Sequence, residues 1–482
     1  MTYKEEKEAW VSNCTGGSIM EVILVASSCV VSHGLWLALL KSKFISPNGY
    51  IAQFLIYVVP AILTQTVAAD QTIQVLLGMV CLTLNVIYRL QQNDKTSFQQ
   101  RVAAAAAATG KQPQQPASRS SHKTYLTVYR AATMILTCIA ILAVDFPVFP
   151  RRFAKVETFG TSLMDVGVGS FVFSSGVVSY KAYSHRSSFG SVMYRAVRSS
   201  LQLIVLGVIR LILTRGVDYQ LHSTEYGLHW NFFITLGLLP PCVALVTAVR
   251  KDFAYLGWCI LLTYQYLLSQ QGLQAWLLDA PRVDLFTANK EGLCSFLGYL
   301  AIFLFGLDIG SLLFSTHGNN TTTSAEGQPS SSNSQQLMMP LAIRCGLYWL
   351  CLGAWTLLFD AGAGFDVSRR MSNLPYVVWV VAFNLTLLTA LIWVEQQMDV
   401  KDNQGPPLLN DLNTNGLATF LIANALTGLV NLTIKTLYAS TLTSMAILVA
   451  MEVTVAMEVT VAMEVTVAME VTVAMEMTVP WR

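Results

Sequence analysis

Charge is what this 482-residue chain lacks. Only 12% of its residues are Asp, Glu, Lys or Arg, against 54% that are hydrophobic; an average soluble domain is about 25% charged. A soluble protein of this length needs a charged surface however large its core, so the composition excludes that class and indicates a polytopic membrane protein. The net charge of +2 gives no case for nucleic acid as a partner. The nine cysteines form no CxxC pair and no metal-ligand spacing. Cys81, Cys138 and Cys259 lie inside apolar runs and read as small buried hydrophobes, so no metal is expected. GxSxG, P-loop, HExxH and Rossmann fingerprints are also missing. Residues 1–17 are polar and carry no cleavable signal pattern, so the apolar run that begins near Ile19 reads as an uncleaved signal anchor.

What is present is a series of long apolar runs. Twelve lie near 19–40, 50–69, 72–90, 125–144, 162–180, 196–213, 230–249, 254–269, 293–314, 340–360, 375–394 and 416–434, most of them long enough to cross the hydrocarbon as a helix. The expected fold is all-α, a polytopic membrane protein with about 12–13 transmembrane helices. Lys and Arg gather in the connections after the odd-numbered spans, which places those connections in the cytosol. The loops after spans 4, 6, 8 and 10 then share the lumenal face. They hold 145–157, 215–229, 279–291 and 366–370, the chemically dense stretches of the chain.

Residues 1–450 read as one membrane domain. Its 91–124 segment, with the alanine run from Ala103 to Ala108, reads as a disordered cytosolic loop, and 315–339 as a low-complexity linker. Residues 451–482 form a tail that repeats MEVTVA. Glu452 and its repeats would each cost about 2.5–3.5 kcal/mol at the centre of a membrane helix. The alternation of Met and Val with Glu, Thr and Ala reads as strand or disorder, without a catalytic role. Sequons at Asn384 and Asn431 fall within spans and read as silent.

Several residues carry chemistry by type and position. Asp145 ends span 4 beside Phe-Pro and suits a general base; the plain alternative is a helix-end charge that meets water or Arg151. Lys155 follows across a Pro-bounded turn and suits an oxyanion or a phosphate; the alternative is contact with lipid headgroups. Arg151 and Arg152, and again Arg369 and Arg370, suit bidentate phosphate recognition. Glu225 and His229 share a helical face with Asn231 just beyond, and Asn289 sits with Lys290 and Glu291. These are candidate sugar, amine or proton-transfer contacts, or an interfacial belt. Asp165 precedes a Gly-rich GVGSFVFSSG run that fits close helix packing or the approach of an acyl chain.

The stretch DFPVFPRRFAK at 145–155 resembles the glycosylphosphatidylinositol (GPI) inositol acyltransferase family, called GPI-anchored wall transfer proteins in fungi. The resemblance continues through YQLHSTEYGLHWNFFITL, FTANKEGLCSFLGY, VSRRMSNLPYVVW and NGLATFLIANALTGLVN, and covers residues 1 to about 448. The family ordinarily has a thirteenth apolar helix where this chain has its repeat. The resemblance implies a multi-span endoplasmic-reticulum enzyme. It would move a fatty acyl group, typically palmitoyl, from acyl-CoA to the 2-hydroxyl of inositol in glucosaminyl-phosphatidylinositol. Acyl-CoA is the co-substrate, with no other cofactor, and membrane lipid is the surroundings. Asp145 and Lys155 match the family's acid and base positions. On that reading Asp145 is the base, Lys155 stabilises the developing charge, and Arg151 and Arg152 hold the acceptor phosphate. A lipid transporter or scramblase, a non-catalytic subunit of the GPI assembly pathway and a sugar N-acyltransferase are the competing readings.

Overall fold

A computed structural model describes residues 2–105, 123–184, 188–215, 223–315, 331–359, 365–398 and 405–478. The principal helices are α1 (Tyr3–Val11), α2 (Ile19–Lys41), α3 (Tyr50–Gln65), α4 (Thr72–Ala105), α5 (Thr124–Ala143), α6 (Leu163–Ser184), α7 (Phe189–Arg215), α8 (Phe232–Val249), α9 (Phe253–Gln270), α10 (Lys290–Ser315), α11 (Ser331–Leu358), α12 (Leu374–Met398), α13 (Pro407–Thr414), α14 (Gly416–Thr433) and α15 (Thr441–Thr478). No strand occurs among the described residues. Among the described residues eleven helices are long and apolar enough to cross a membrane, which makes this an all-α, multi-pass membrane protein. Helix is the outcome physics requires of such runs, because a backbone in hydrocarbon must satisfy its own donors and acceptors.

The chain divides into two compact units. Unit 1 comprises Met1–Val22 and Arg151–Thr389; unit 2 comprises Ile23–Pro150 and Ala390–Arg482. Within unit 1, α6 and α10 pack at backbone distance. A Cβ at Gly176 would lie 2.3 Å from the Phe303 carbonyl oxygen, and one at Gly306 would lie 2.4 Å from that of Phe173. The Gly-rich run of α6 is therefore used for helix packing. Gly257 lets α9 press on the Phe305 ring, which meets Trp258 and Tyr348 edge to face at 5.2 and 5.6 Å while those two stack at 5.9 Å. Within unit 2, α5 is the buried hub, and α13, α14 and α15 pack around it.

Ten of the twelve expected spans appear among the eleven. The span expected at 50–69 does not. Helix α3 ends at Gln65 and carries a π-turn over Phe54–Val58. Pro60 lacks the N–H that would bond back to Ile56, and a wider turn absorbs that gap. The run at 254–269 does form a helix, α9, but it is not one of the eleven. Its Tyr264 and Gln265 turn inward instead, and hold Met371 and Leu374 of unit 1 by hydrogen bonds of 2.7 and 3.0 Å.

The tail is a correction. Thr441–Glu458 is the eleventh span, and α15 continues the helix through Thr478, across most of the repeat. Met, Glu and Ala favour helix, and no Gly or Pro interrupts the stretch. Glu452 lies buried inside unit 2. Helix α4 likewise reaches Ala105, inside the stretch read as a loop, while 106–122 lie outside the described residues. Of the expected linker, 316–330 lie outside them as well, and α11 takes up the chain from Ser331.

Candidate functional site

Four loops of unit 1 meet. The loop at 151–162 is stitched at both edges. Gly17 N donates to Thr161 O at 2.8 Å and Glu157 N to Cys14 O at 3.3 Å. On the other edge Gly160 N donates to Val367 O at 2.8 Å, and Ser368 Oγ to Thr158 O at 2.5 Å. Gly160 adopts φ +140° at this crossing, and a Cβ there would stand 2.5 Å from Thr15 O, so glycine is required. The loop is therefore a fixed platform, and Lys155 stands on it.

A chain of four alternating charges runs beneath that platform. Lys155 Nζ donates to both oxygens of Glu225, at 2.8 and 3.0 Å. Arg369 Nη1 donates to Glu225 Oε1 at 2.9 Å, and Arg369 Nε to Asp165 Oδ1 at 2.6 Å. Asp165 is wholly buried. Its Oδ2 accepts from Ser162 Oγ at 2.7 Å and from Val156 N at 3.1 Å, next to Lys155. Tyr376 Oη closes the cluster by donating to Asp165 O at 2.9 Å.

Burial alone would raise the Glu225 carboxyl, but the Lys155 ammonium and the Arg369 guanidinium override it and bring it down to about 2. Burial likewise works against the Arg369 guanidinium, and the Glu225 and Asp165 carboxylates hold it well above its ordinary value. Glu225 and Arg369 are thus both held in their charged forms. An ammonium has three protons; Glu225 takes two from Lys155, and the 42%-exposed side chain keeps one for another acceptor.

The remaining sequence candidates of unit 1 have these places. Arg152 Nε donates to Glu21 Oε1 at 2.6 Å. The Arg151 guanidinium lies 4.8 Å from the Trp10 ring centroid, with Nη2 3.6 Å from Cys14 Sγ. Asn231 caps α8 through Phe233 N and Ile234 N, and its Nδ2 donates to Gly207 O at 2.9 Å. Asn289 Oδ1 accepts His229 N at 2.8 Å while its Nδ2 donates to Leu285 O. The ring Nδ1 of His229 is buried with no hydrogen-bond partner among the described residues. Arg370 Nη2 donates to Glu291 Oε1 at 3.0 Å, and Arg282 Nη2 donates to the same oxygen at 2.6 Å.

Asp145 belongs to unit 2, where its Oδ2 accepts from Asn431 Nδ2 at 2.7 Å. Phe146 and Phe149 beside it are wholly buried. The boundary between the units thus falls inside the DFPVFPRRFAK stretch, after Pro150. Asn431, read as a silent sequon, is a hydrogen-bond partner of the acid. Unit 2 holds a second polar group that the sequence reading passed over. His33 is wholly buried on α2, with Nδ1 2.8 Å from Tyr57 Oη and Nε2 3.2 Å from Glu395 Oε1. Tyr57 stands on the π-turn of α3. The available signal was an ionisable residue within an apolar run, at His33 and again at Glu395. Among the described residues no group of three or more His, Cys, Asp or Glu is placed to hold a metal.

Comparison with known proteins covers nearly the whole chain. The sequence profile of the GWT1 family matches residues 3–462. GPI-anchored wall transfer protein 1 of Gibberella zeae is 39% identical, over 93% of this chain and 95% of the relative. The protein of that name in Aspergillus oryzae is also 39% identical, over 93% and 95%. The one in Saccharomyces cerevisiae is 36% identical over the same shares.

Proposed function

Because the chain belongs to the GWT1 family, we propose that it works in GPI-anchor assembly as an O-acyltransferase of the endoplasmic-reticulum membrane. It moves a fatty acyl group, palmitoyl in the typical case, from acyl-CoA to the inositol 2-hydroxyl of glucosaminyl-phosphatidylinositol. The observation that carries this reading is the meeting of four charged loops in unit 1, around a lysine held by Glu225, which Arg369 joins to the buried Asp165. A transporter would be expected to distribute its polar groups along the spans. The same loops are assigned to the lumenal face.

Asp145 is the base. The 2-hydroxyl gives it a proton, the oxygen bonds to the thioester carbonyl carbon, and collapse of the tetrahedral oxyanion breaks the C–S bond. The CoA thiolate takes that proton from Asp145 and leaves as the thiol, which returns the carboxylate to its starting form. No serine or cysteine nucleophile is invoked, so no acyl-enzyme forms. Asn431 fixes the orientation of the Asp145 carboxylate. Lys155 supplies positive charge toward the oxyanion, and Glu225 and Arg369 keep its ammonium in place.

The test is acyl transfer in membranes that hold this chain as their one candidate enzyme, supplied with labelled palmitoyl-CoA and glucosaminyl-phosphatidylinositol. Wild type yields inositol-acylated product. Asp145→Asn keeps the shape of the side chain and lowers the rate by about 10²–10⁴-fold at matched protein level. Equal product from both removes Asp145 from its role. No product from wild type, with lipid moved between leaflets instead, replaces the enzyme reading with a transporter.

A further inference from the structure

One corner of unit 1 gathers three cations around one buried acid. Arg282, Lys290 and Arg370 surround a single buried carboxylate, Glu291, whose side chain has no exposed surface. Glu291 Oε1 accepts from both guanidinium groups, at 2.6 and 3.0 Å. Its Oε2 is buried and accepts from nothing among the described residues, and Arg370 Nε is buried and donates to nothing among them. Lys290 is also buried. Its ammonium donates to the carbonyls of Ala280 at 2.6 Å and Trp276 at 3.5 Å, has no ion-pair partner among the described residues, and keeps a third proton. The other acids nearby are Asp279, which is exposed, and Asp284, which caps the turn Leu285–Ala288.

Buried polar atoms are as a rule hydrogen-bonded, and a pair of orphans of opposite kind in one cluster describes a ligand with two kinds of group. The donors, Arg370 Nε and Lys290 Nζ, call for an anion. The acceptor, Glu291 Oε2, calls for a hydroxyl or an ammonium. The same loop displays Val283, Leu285 and Phe286 at 83%, 71% and 59% exposure, an apolar rim beside the polar cluster that suits the chains of a lipid.

We propose that Arg282, Lys290, Glu291 and Arg370 form a headgroup site for a phosphorylated lipid that also carries hydroxyl or amine donors. The phosphate oxygens accept from Arg370 Nε and Lys290 Nζ, and a hydroxyl or ammonium of the same headgroup donates to Glu291 Oε2. The identity of that lipid as glucosaminyl-phosphatidylinositol rests on the function proposed above. The assignment moves the phosphate from Arg151 and Arg152, where it was expected, to the three cations around Glu291; Arg152 is already paired with Glu21.

The experiment measures binding rather than turnover. The full chain in lipid nanodiscs is titrated with labelled glucosaminyl-phosphatidylinositol, phosphatidylinositol and inorganic phosphate. Wild type is expected to bind them in that order of affinity. Arg370→Lys keeps a cation beside Glu291 but removes Nε, and weakens the amine-bearing lipid about tenfold. Glu291→Gln narrows the preference for the amine-bearing lipid over phosphatidylinositol. Unchanged lipid affinity in both variants overturns the site. Inorganic phosphate that competes as well as the lipid shows an anion site alone and overturns the headgroup assignment. If neither variant folds, phenylglyoxal modification of Arg370 in wild type decides: protection by the lipid supports the site and unchanged labelling refutes it. Lipid binding without acyl transfer would sink the acyltransferase reading and leave this site standing. Acyl transfer with an unaltered KM in Arg370→Lys would do the reverse.

Discussion

Unit 1 and unit 2 solve the problem of polar groups in an apolar protein in opposite ways. In unit 1 the charges sit in loops and at helix ends, and they are numerous. Lys155, Glu225, Arg369 and Asp165 alternate in sign, so each carboxylate is neutralised by a cation and the chain of four is balanced. In unit 2 the groups sit singly within or just beyond helices. His33 meets Tyr57 and Glu395, and Asp145 accepts from the neutral amide of Asn431. Charge networks are tolerable where chain ends and carbonyls supply further donors and acceptors. Mid-helix that supply is used up by the helix itself, and side chains such as Tyr57 and Glu395 supply the partners of His33 instead. A network tuned in this way fixes charge states, whereas a matched pair fixes orientation.

The contrast can be broken most severely at Arg369. Arg369→Met leaves Asp165 and Glu225 buried without their shared cation, and the expected cost is about 3–5 kcal/mol. Thermal unfolding of the detergent-solubilised protein measures it, and a loss below 1 kcal/mol, about a fivefold change in the folding equilibrium, would show that the network is not stabilising.

A smaller effect, with a pH signature, is expected at Glu225. A carboxyl brought from 4.5 to about 2 contributes stability above its unfolded value and loses it as pH falls through the folded one. That is about 3 kcal/mol at neutral pH. The stability gap between wild type and Glu225→Gln should therefore be full at pH 6 and shrink between pH 4.5 and 2. A gap that does not change with pH would mean that the ion pairs are not its source.

The smallest effect is expected in unit 2. His33→Phe fills the space but strands the Tyr57 hydroxyl and the Glu395 carboxylate, at about 1–3 kcal/mol. Restoring one acceptor with His33→Gln should recover part of the loss, and a Gln variant no better than Phe would count against the hydrogen bonds.

Much of this was legible in the residues. Apolar runs longer than the bilayer is thick become helices whatever their neighbours do, so ten spans could be read directly. The exceptions each had a local cause that outweighed hydropathy: Pro60 within α3, and in α9 the polar residues Tyr264 and Gln265, which are spent on a loop about a hundred positions away. The tail misled because its six-residue period resembles an alternating strand, while Met, Glu and Ala propensities, and the demand that a backbone in lipid satisfy itself, favour helix.

The sequence by itself determined the class of the protein, the number and placing of most of its spans, and the charged loops in which its chemistry would be sought. Residue type and run length are local properties, and hydrocarbon acts on them locally. Partnership was decided only by the tertiary structure. Arg369 and Arg370 are adjacent in the chain, yet one is consumed between Asp165 and Glu225 while the other meets Glu291 and keeps a donor to spare. Asn431 lies 286 positions from the acid it holds. Hydrogen bonds and ion pairs act over about 3 Å, and only the packing of helices brings residues so far apart in the chain to that distance.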